Sequence, residues 1–84
     1  MEIKELKDTV VMMGSSDYKE RFKAEYHQLN IRINKLVAVV DGYVDGTLSF
    51  TPSCPIHLLR RQIQSMAAYR SILQERARIE GIKL

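Results

Sequence analysis

Arg70 stands where the apolar spacing of its helix asks for a leucine. Leu59, Ile63, Met66, Arg70, Leu73 and Ala77 follow alternating four- and three-residue steps, the rhythm of a packing seam. A guanidinium keeps its charge in a protein, so a seam arginine needs an anionic partner or a wet cavity. The same stretch carries Arg60, Arg61, Arg76 and Arg78. The chemistry on offer is therefore anion binding.

A second group of residues points the same way. Gly14-Ser15-Ser16-Asp17-Tyr18-Lys19 places small residues, hydroxyls and backbone amides at a helix start, where free N–H groups and the helix dipole favour phosphate. Tyr18, Phe22, Tyr26 and Tyr69 are candidates for stacking on bases, and Arg21, Lys23, Arg70 and Arg76 for pairing with phosphates. Each has a plainer reading. Phe22 and Tyr26 fall on a packing seam, Ser15-Ser16-Asp17 is also a helix cap, and Arg70 could pair with a carboxylate of a neighbouring subunit.

Catalysis is poorly represented. His27 and His57 lie far apart, and no Cys/His cluster has metal-ligand spacing, so no metal and no cofactor is expected. Cys54 precedes a proline and has no activating base nearby, so it reads as a small buried hydrophobe. Gly14 stands alone rather than in a phosphate-cradling glycine loop.

The elements that must carry these residues are helical. Ile3, Leu6, Val10 and Met13 share one face of a short helix from Glu2 to Met13. Gly14-Ser15-Ser16 breaks it, and Asp17 with Glu20 three residues on makes a capping-box pattern. Phe22, Tyr26, Leu29, Ile33, Leu36 and Val40 then hold a strict four-three rhythm over a helix from 17 to 41, roughly 36 Å long. Gly42 is the expected left-handed cap.

The connection 42–54 contains two Asp-Gly pairs and two prolines, with Leu48 and Phe50 expected to tuck back onto the helices. A strand from Tyr43 to Phe50 is the alternative. Pro55 opens the last helix, 55–81, and Gly81 stops it. The expected fold is all-α: one domain over 1–84, with a short N-terminal helix (1–16) and a long antiparallel helical hairpin. Leu58, Tyr69, Ile72 and Ile79 form a second apolar row on the last helix. One partner helix covers one row, so the second needs the N-terminal helix or another copy of the chain. A compact homo-oligomer is the expectation.

Bulk properties agree. With 84 residues and 45% hydrophobic content the chain suits one small domain, and chains this short often associate to finish burying their apolar faces. The single cysteine rules out an internal disulfide and fits a reducing compartment. No apolar run approaches the roughly 20 residues of a membrane span, and the charged start Met1-Glu2-Ile3-Lys4-Glu5 lacks a signal-peptide core. The net charge is only +3, but Arg60, Arg61, Arg70, Arg76, Arg78 and Lys83 face only Glu75 and Glu80 between Leu58 and Leu84. That excess suggests an anionic partner, although scattered charges of this kind are ordinarily a solvated surface.

Two segments carry a resemblance. Arg21-Phe-Lys-Ala-Glu-Tyr-His-Gln-Leu-Asn-Ile-Arg-Ile-Asn-Lys-Leu36 and Leu59-Arg-Arg-Gln-Ile-Gln-Ser-Met-Ala-Ala-Tyr-Arg-Ser-Ile-Leu-Gln-Glu-Arg-Ala-Arg-Ile79 resemble the helical hairpin shared by phage anti-CBASS and anti-Thoeris cyclic-nucleotide sponges. The chain is also similar to small proteins of crAss-like gut phages. The resemblance spans roughly residues 17 to 82. It implies a compact helical hexamer in the cytoplasm of an infected bacterial host. Such a hexamer sequesters cyclic di- and trinucleotide messengers without cleaving them. Dinucleotides lie between protomers and trinucleotides near a threefold axis.

Arg76 matches a late-helix arginine that holds phosphate in that family, and Gly14-Ser15-Ser16 falls where relatives line their pockets with small polar residues and an aromatic. Met13 or Tyr18 stands in for that aromatic. The family's pocket lysine falls near Tyr26, with Lys19 or Lys23 one turn earlier. Residue types, spacing and the resemblance together give an expected ligand set of Gly14, Ser15, Ser16, Tyr18, Lys19, Arg21, Tyr26, Arg70 and Arg76. The expected partners are a cyclic nucleotide and further copies of the chain, with neither membrane nor nucleic acid. The alternative is a small phage helical oligomer that binds nucleic acid or a host protein.

Overall fold

The computed structural model describes residues 2–84, and among these all regular structure is helical. A 3-10 turn, Leu6–Thr9, runs directly into a single α-turn, α1, Val10–Met13. Two long helices follow: α2, Tyr18–Asp45, and α3, Ile56–Glu80. At about 1.5 Å per residue, α2 spans nearly the whole 43 Å length of the molecule.

The four-three rhythm of α2 does what its spacing implies. Phe22, Leu29 and Ile33 are buried with Leu73 and Ala77 of α3, and Tyr26, Val37 and Met66 pack against that cluster. Hydrogen bonds join Tyr18 to Glu80 and Arg76, Tyr26 to Gln74 and Asn30 to Arg70. Partner numbers fall along α3 as they rise along α2, the order of two helices lying in opposite directions. After α3, Gly81 takes φ 73° and the Ile82 amide donates to the Ala77 carbonyl at 2.8 Å. This C-cap folds Ile82 back into the core.

The end of α2 lies four residues beyond the expected boundary. Gly46, not Gly42, takes the left-handed conformation at φ 74°. Gly42 stays helical, and its carbonyl accepts from the amides of Thr47 and Leu48. Leu48 packs on the last turn of α2 beside Gly42, where an added Cβ would meet Leu48 Cδ1 at an ordinary contact distance of 3.4 Å. Both Asp-Gly pairs look like stops, and each is followed two residues on by an apolar residue, Val44 or Leu48; the chain closes at the second, where Leu48 packs back on Gly42. The alternative strand over Tyr43–Phe50 does not form. Leu48 tucks in as expected, whereas Phe50 is 57% exposed. Pro55 caps α3 from just outside it.

The N-terminal arm departs further from expectation. The tighter 3-10 winding of Leu6–Thr9 turns the chain, so Val10 and Met13 face solvent and Thr9 is fully buried instead. Thr9 Oγ1 donates to the Leu6 carbonyl at 2.7 Å and accepts from Gln28 Nε2 at 2.9 Å. Ala24, Gln28 and Ile31, at i, i+4 and i+7, thus form a second inward face of α2 beneath the arm. The arm packs on α2 and not on α3. Leu58, Tyr69, Ile72 and Ile79 are left 42–69% exposed.

Candidate functional site

The first turn of α2 lies beside the last turn of α3. Asp17 caps α2 by accepting from the Lys19 amide at 3.0 Å, and its own amide donates to Ser15 Oγ at 3.0 Å. Glu20 therefore does not reach back to close the expected capping box; it pairs with Lys23 Nζ at 3.4 Å. Arg21 Nη1 donates to the Ser15 carbonyl at 2.9 Å, tying the turn to the helix. Ser15 Oγ and the Asp17 carboxylate are thus both engaged within the turn, by the Asp17 and Lys19 amides, and Gly14 and Ser16 are exposed beside them.

Across from this turn is a compact polar cluster. Tyr18 Oη donates to Glu80 Oε1 at 2.9 Å and accepts from Arg76 Nη2 at 2.9 Å. Arg76 Nε donates to Glu80 Oε2 at 3.4 Å. The Arg76 guanidinium lies over the Phe22 ring, 4.9 Å from its centre, and the Tyr18 and Phe22 rings are tilted at 6.2 Å. Partial desolvation works against the Arg76 charge, but Tyr18 and Glu80 outweigh it and hold the guanidinium above its ordinary pKa. Phe22 is a core residue that shows one face to the cation, while the Tyr18 and Arg76 side chains are both about 45% exposed.

Nine residues expected to bind ligand separate into two groups. Gly14, Ser15, Ser16, Tyr18, Lys19, Arg21 and Arg76 gather at this end of the helix pair. Tyr26 and Arg70 do not join them. Tyr26 Oη accepts from Gln74 Nε2 at 3.3 Å, and Arg70 Nη1 donates to Asn30 Oδ1 at 2.9 Å. Gln74 and Arg76 are about 200° apart around α3, so these contacts emerge on the opposite edge of the seam. Arg70 thus has a neutral partner, which suffices because its side chain is only half-buried. Sequence reasoning did not single out Glu80, Asn30 or Gln74 as partners. An acidic residue four after Arg76 was the available signal for Glu80.

The remaining reactive side chains lie elsewhere. Cys54 is exposed on the connection rather than buried, because the loop outside α2 and α3 gives it nothing to pack beneath. His57 is exposed and His27 half-buried. Burial first, and then the nearby Lys23 charge, hold the His27 pKa below its usual 6.5. Among the described residues no group of three or more His, Cys, Asp or Glu could hold a metal. Among the described residues no helix is long and apolar enough to cross a membrane. A hollow of about 310 Å³ is lined by Leu6, Leu36, Val39 and Met66 with Arg32, Lys35 and Gln62. Another, of about 520 Å³, opens between the arm and α2 beside His27.

The exposed cation–phenol cluster at one end of two long helices is a surface able to receive an anion. The chain belongs to the Sequestin family, whose model matches residues 16–79. That span takes in α2, all of α3 but its last residue, Glu80, and the Tyr18, Phe22 and Arg76 members of the cluster, and it overlaps most of the stretch that resembles the cyclic-nucleotide sponges. The family's name denotes sequestration. No curated protein and no solved structure matches the chain.

Proposed function

We propose that this protein binds and sequesters cyclic oligonucleotide messengers of bacterial anti-phage defence, cyclic dinucleotides, trinucleotides or both, without cleaving them. The reading places it in the cytoplasm of an infected host, as a homo-oligomer of helical hairpins, a hexamer by resemblance. The observation that carries it is the Arg76–Tyr18 pair stacked on Phe22, half-open to solvent inside the span that defines the family. A guanidinium and a phenol supply donors for a phosphodiester, and the half-exposed Tyr18 ring offers a face on which a base can stack.

Assembly is supported by the uncovered row on α3. Of the two surfaces able to cover Leu58, Tyr69, Ile72 and Ile79, the N-terminal arm is already committed to α2. A second copy is the surface that remains. Calorimetric titration with a panel of cyclic di- and trinucleotides tests the function, and chromatography of the recovered ligand tests whether it stays intact. Heat of binding and unchanged ligand are the expected results. No heat from any member of the panel, with the ribose-derived signals of Thoeris included, refutes the reading.

One observation favours a second reading. Arg60 and Arg61, exposed at the start of α3, have no acidic partner among the described residues. A nucleic-acid partner would use them, and its affinity would fall steeply with salt in an electrophoretic shift.

A further inference from the structure

We propose that Glu80 is a built-in competitor for the anion site, occupying the place on Arg76 and Tyr18 that a ligand phosphate takes. The inference rests on the sequestration reading above and names a residue that sets its affinity. The two carboxylate oxygens of Glu80 are divided between two donors, Oε1 on the Tyr18 hydroxyl at 2.9 Å and Oε2 on Arg76 Nε at 3.4 Å. A phosphodiester likewise carries one negative charge and two free oxygens, so it matches the carboxylate in charge and in number of acceptors.

The resident carboxylate is weakly held. Glu80 is the last residue of α3, where the carbonyl end of the helix disfavours an anion. Its side chain is about one-third exposed and its Arg76 contact is long, so rotation into water breaks few contacts. When a phosphate arrives, Tyr18 Oη and Arg76 transfer their donated bonds to it and Glu80 swings out. A permanently attached anion of this kind sets a threshold: weak or singly contacting anions fail to displace it, and a ring with several phosphates that contact neighbouring groups succeeds.

Glu80→Gln tests the inference. The amide keeps an oxygen acceptor and the side-chain shape but removes the charge. Two probes are used on the 84-residue chain, inorganic pyrophosphate and the cyclic nucleotide panel, both followed by calorimetry; wherever Arg76 is retained, its Nε–H NMR signal reports pyrophosphate as well. Removing one unit of like charge at contact distance in water-like surroundings should tighten pyrophosphate binding about fivefold. Arg76→Gln in the same background should abolish that gain. Any cyclic nucleotide that binds the wild type should gain by a similar factor.

Equal or weaker pyrophosphate binding by Glu80→Gln overturns the inference, since a carboxylate that merely positions Arg76 would weaken binding when neutralised. Glu80→Ala guards against a structural effect of the amide and should show the same gain. A gain for pyrophosphate with no heat from any cyclic nucleotide would support the role of Glu80 and refute the cyclic-nucleotide reading.

Discussion

Arg70 and Asn30 form an isolated couple, and a double-mutant cycle can establish what holds the seam arginine in place. The guanidinium reaches a neutral amide oxygen at 2.9 Å, and both residues are half-buried. A hydrogen bond to a charged group contributes about 1.5–3 kcal/mol when buried, which exposure reduces here to about 1 kcal/mol. A leucine at position 70 regains about 1 kcal/mol, half the value of a fully buried side chain. Arg70→Leu should therefore leave stability within about 1 kcal/mol of the wild type.

Asn30→Leu leaves the guanidinium without its partner and should be neutral to destabilising by about 1 kcal/mol. The double variant replaces a polar couple with two packed leucines and should gain about 1–2 kcal/mol, the usual result when a partly buried polar pair becomes apolar. At about 4–8 °C per kcal/mol for a domain of this size, that raises Tm by roughly 5–15 °C. Urea denaturation of all four proteins at one concentration gives the coupling energy, expected near 1 kcal/mol. A large loss from Arg70→Leu alone, with no coupling to Asn30, would refute this account and mean that Arg70 holds an anion instead.

Four further outcomes are expected. Leu73 is fully buried in the seam, so Leu73→Ala should cost about 3 kcal/mol and lower Tm by on the order of 15 °C. Gly46 lies at φ 74°, where a side chain is strained, so Gly46→Ala should cost about 1 kcal/mol, whereas Gly42→Ala should cost less or even stabilise, since it gains helix propensity and meets Leu48 at an ordinary 3.4 Å. Urea midpoints of the two variants check this. The His27 pKa is lowered on folding, so the unfolded chain binds more protons near neutrality; its contribution to stability is complete above pH 6.5 and fades as pH falls toward the folded value. Melting curves from pH 7.5 to 5 should show a fall in Tm that His27→Gln removes in part. Ile72 is 59% exposed, so Ile72→Glu should leave an isolated chain folded while reducing native mass and ligand affinity together.

The sequence carried the seam faithfully because two long helices packed along one line impose the same four-three spacing on both. Phe22, Leu29, Ile33 and Val40 are buried as that spacing requires. The second inward face of α2 was hidden. Ala24 is small and Ile31 is separated from it by Gln28, which is polar but satisfied by Thr9. Burial of Thr9 is equally invisible to a hydropathy pattern, since it depends on its hydroxyl being satisfied on both sides. The end of α2 was misplaced because two Asp-Gly pairs carry the same local signal and packing by Leu48 selects between them. At the candidate site the cations and aromatics could be identified one by one. Their grouping could not, because only antiparallel register brings Tyr18 to Arg76 and sends Tyr26 and Arg70 to the other edge.

The placement of Arg76 links binding to assembly. Ile72 lies four residues before it and Ile79 three residues after it, so the arginine shares its face of α3 with the two most exposed members of the uncovered row. Any surface that buries Ile72 and Ile79 must come up against Arg76. Water then leaves the neighbourhood of a guanidinium whose present companions are one phenol, one carboxylate and one aromatic face. A lone chain keeps that cluster half-open, where a single phosphate competes poorly with Glu80 and with solvent. Covering the row lowers the local dielectric and strengthens every charge-assisted bond made there. Under the proposed function, the apolar row and the anion site are therefore one device: association completes the core of the assembly and, by the same contact, turns a weak surface site into an enclosed one.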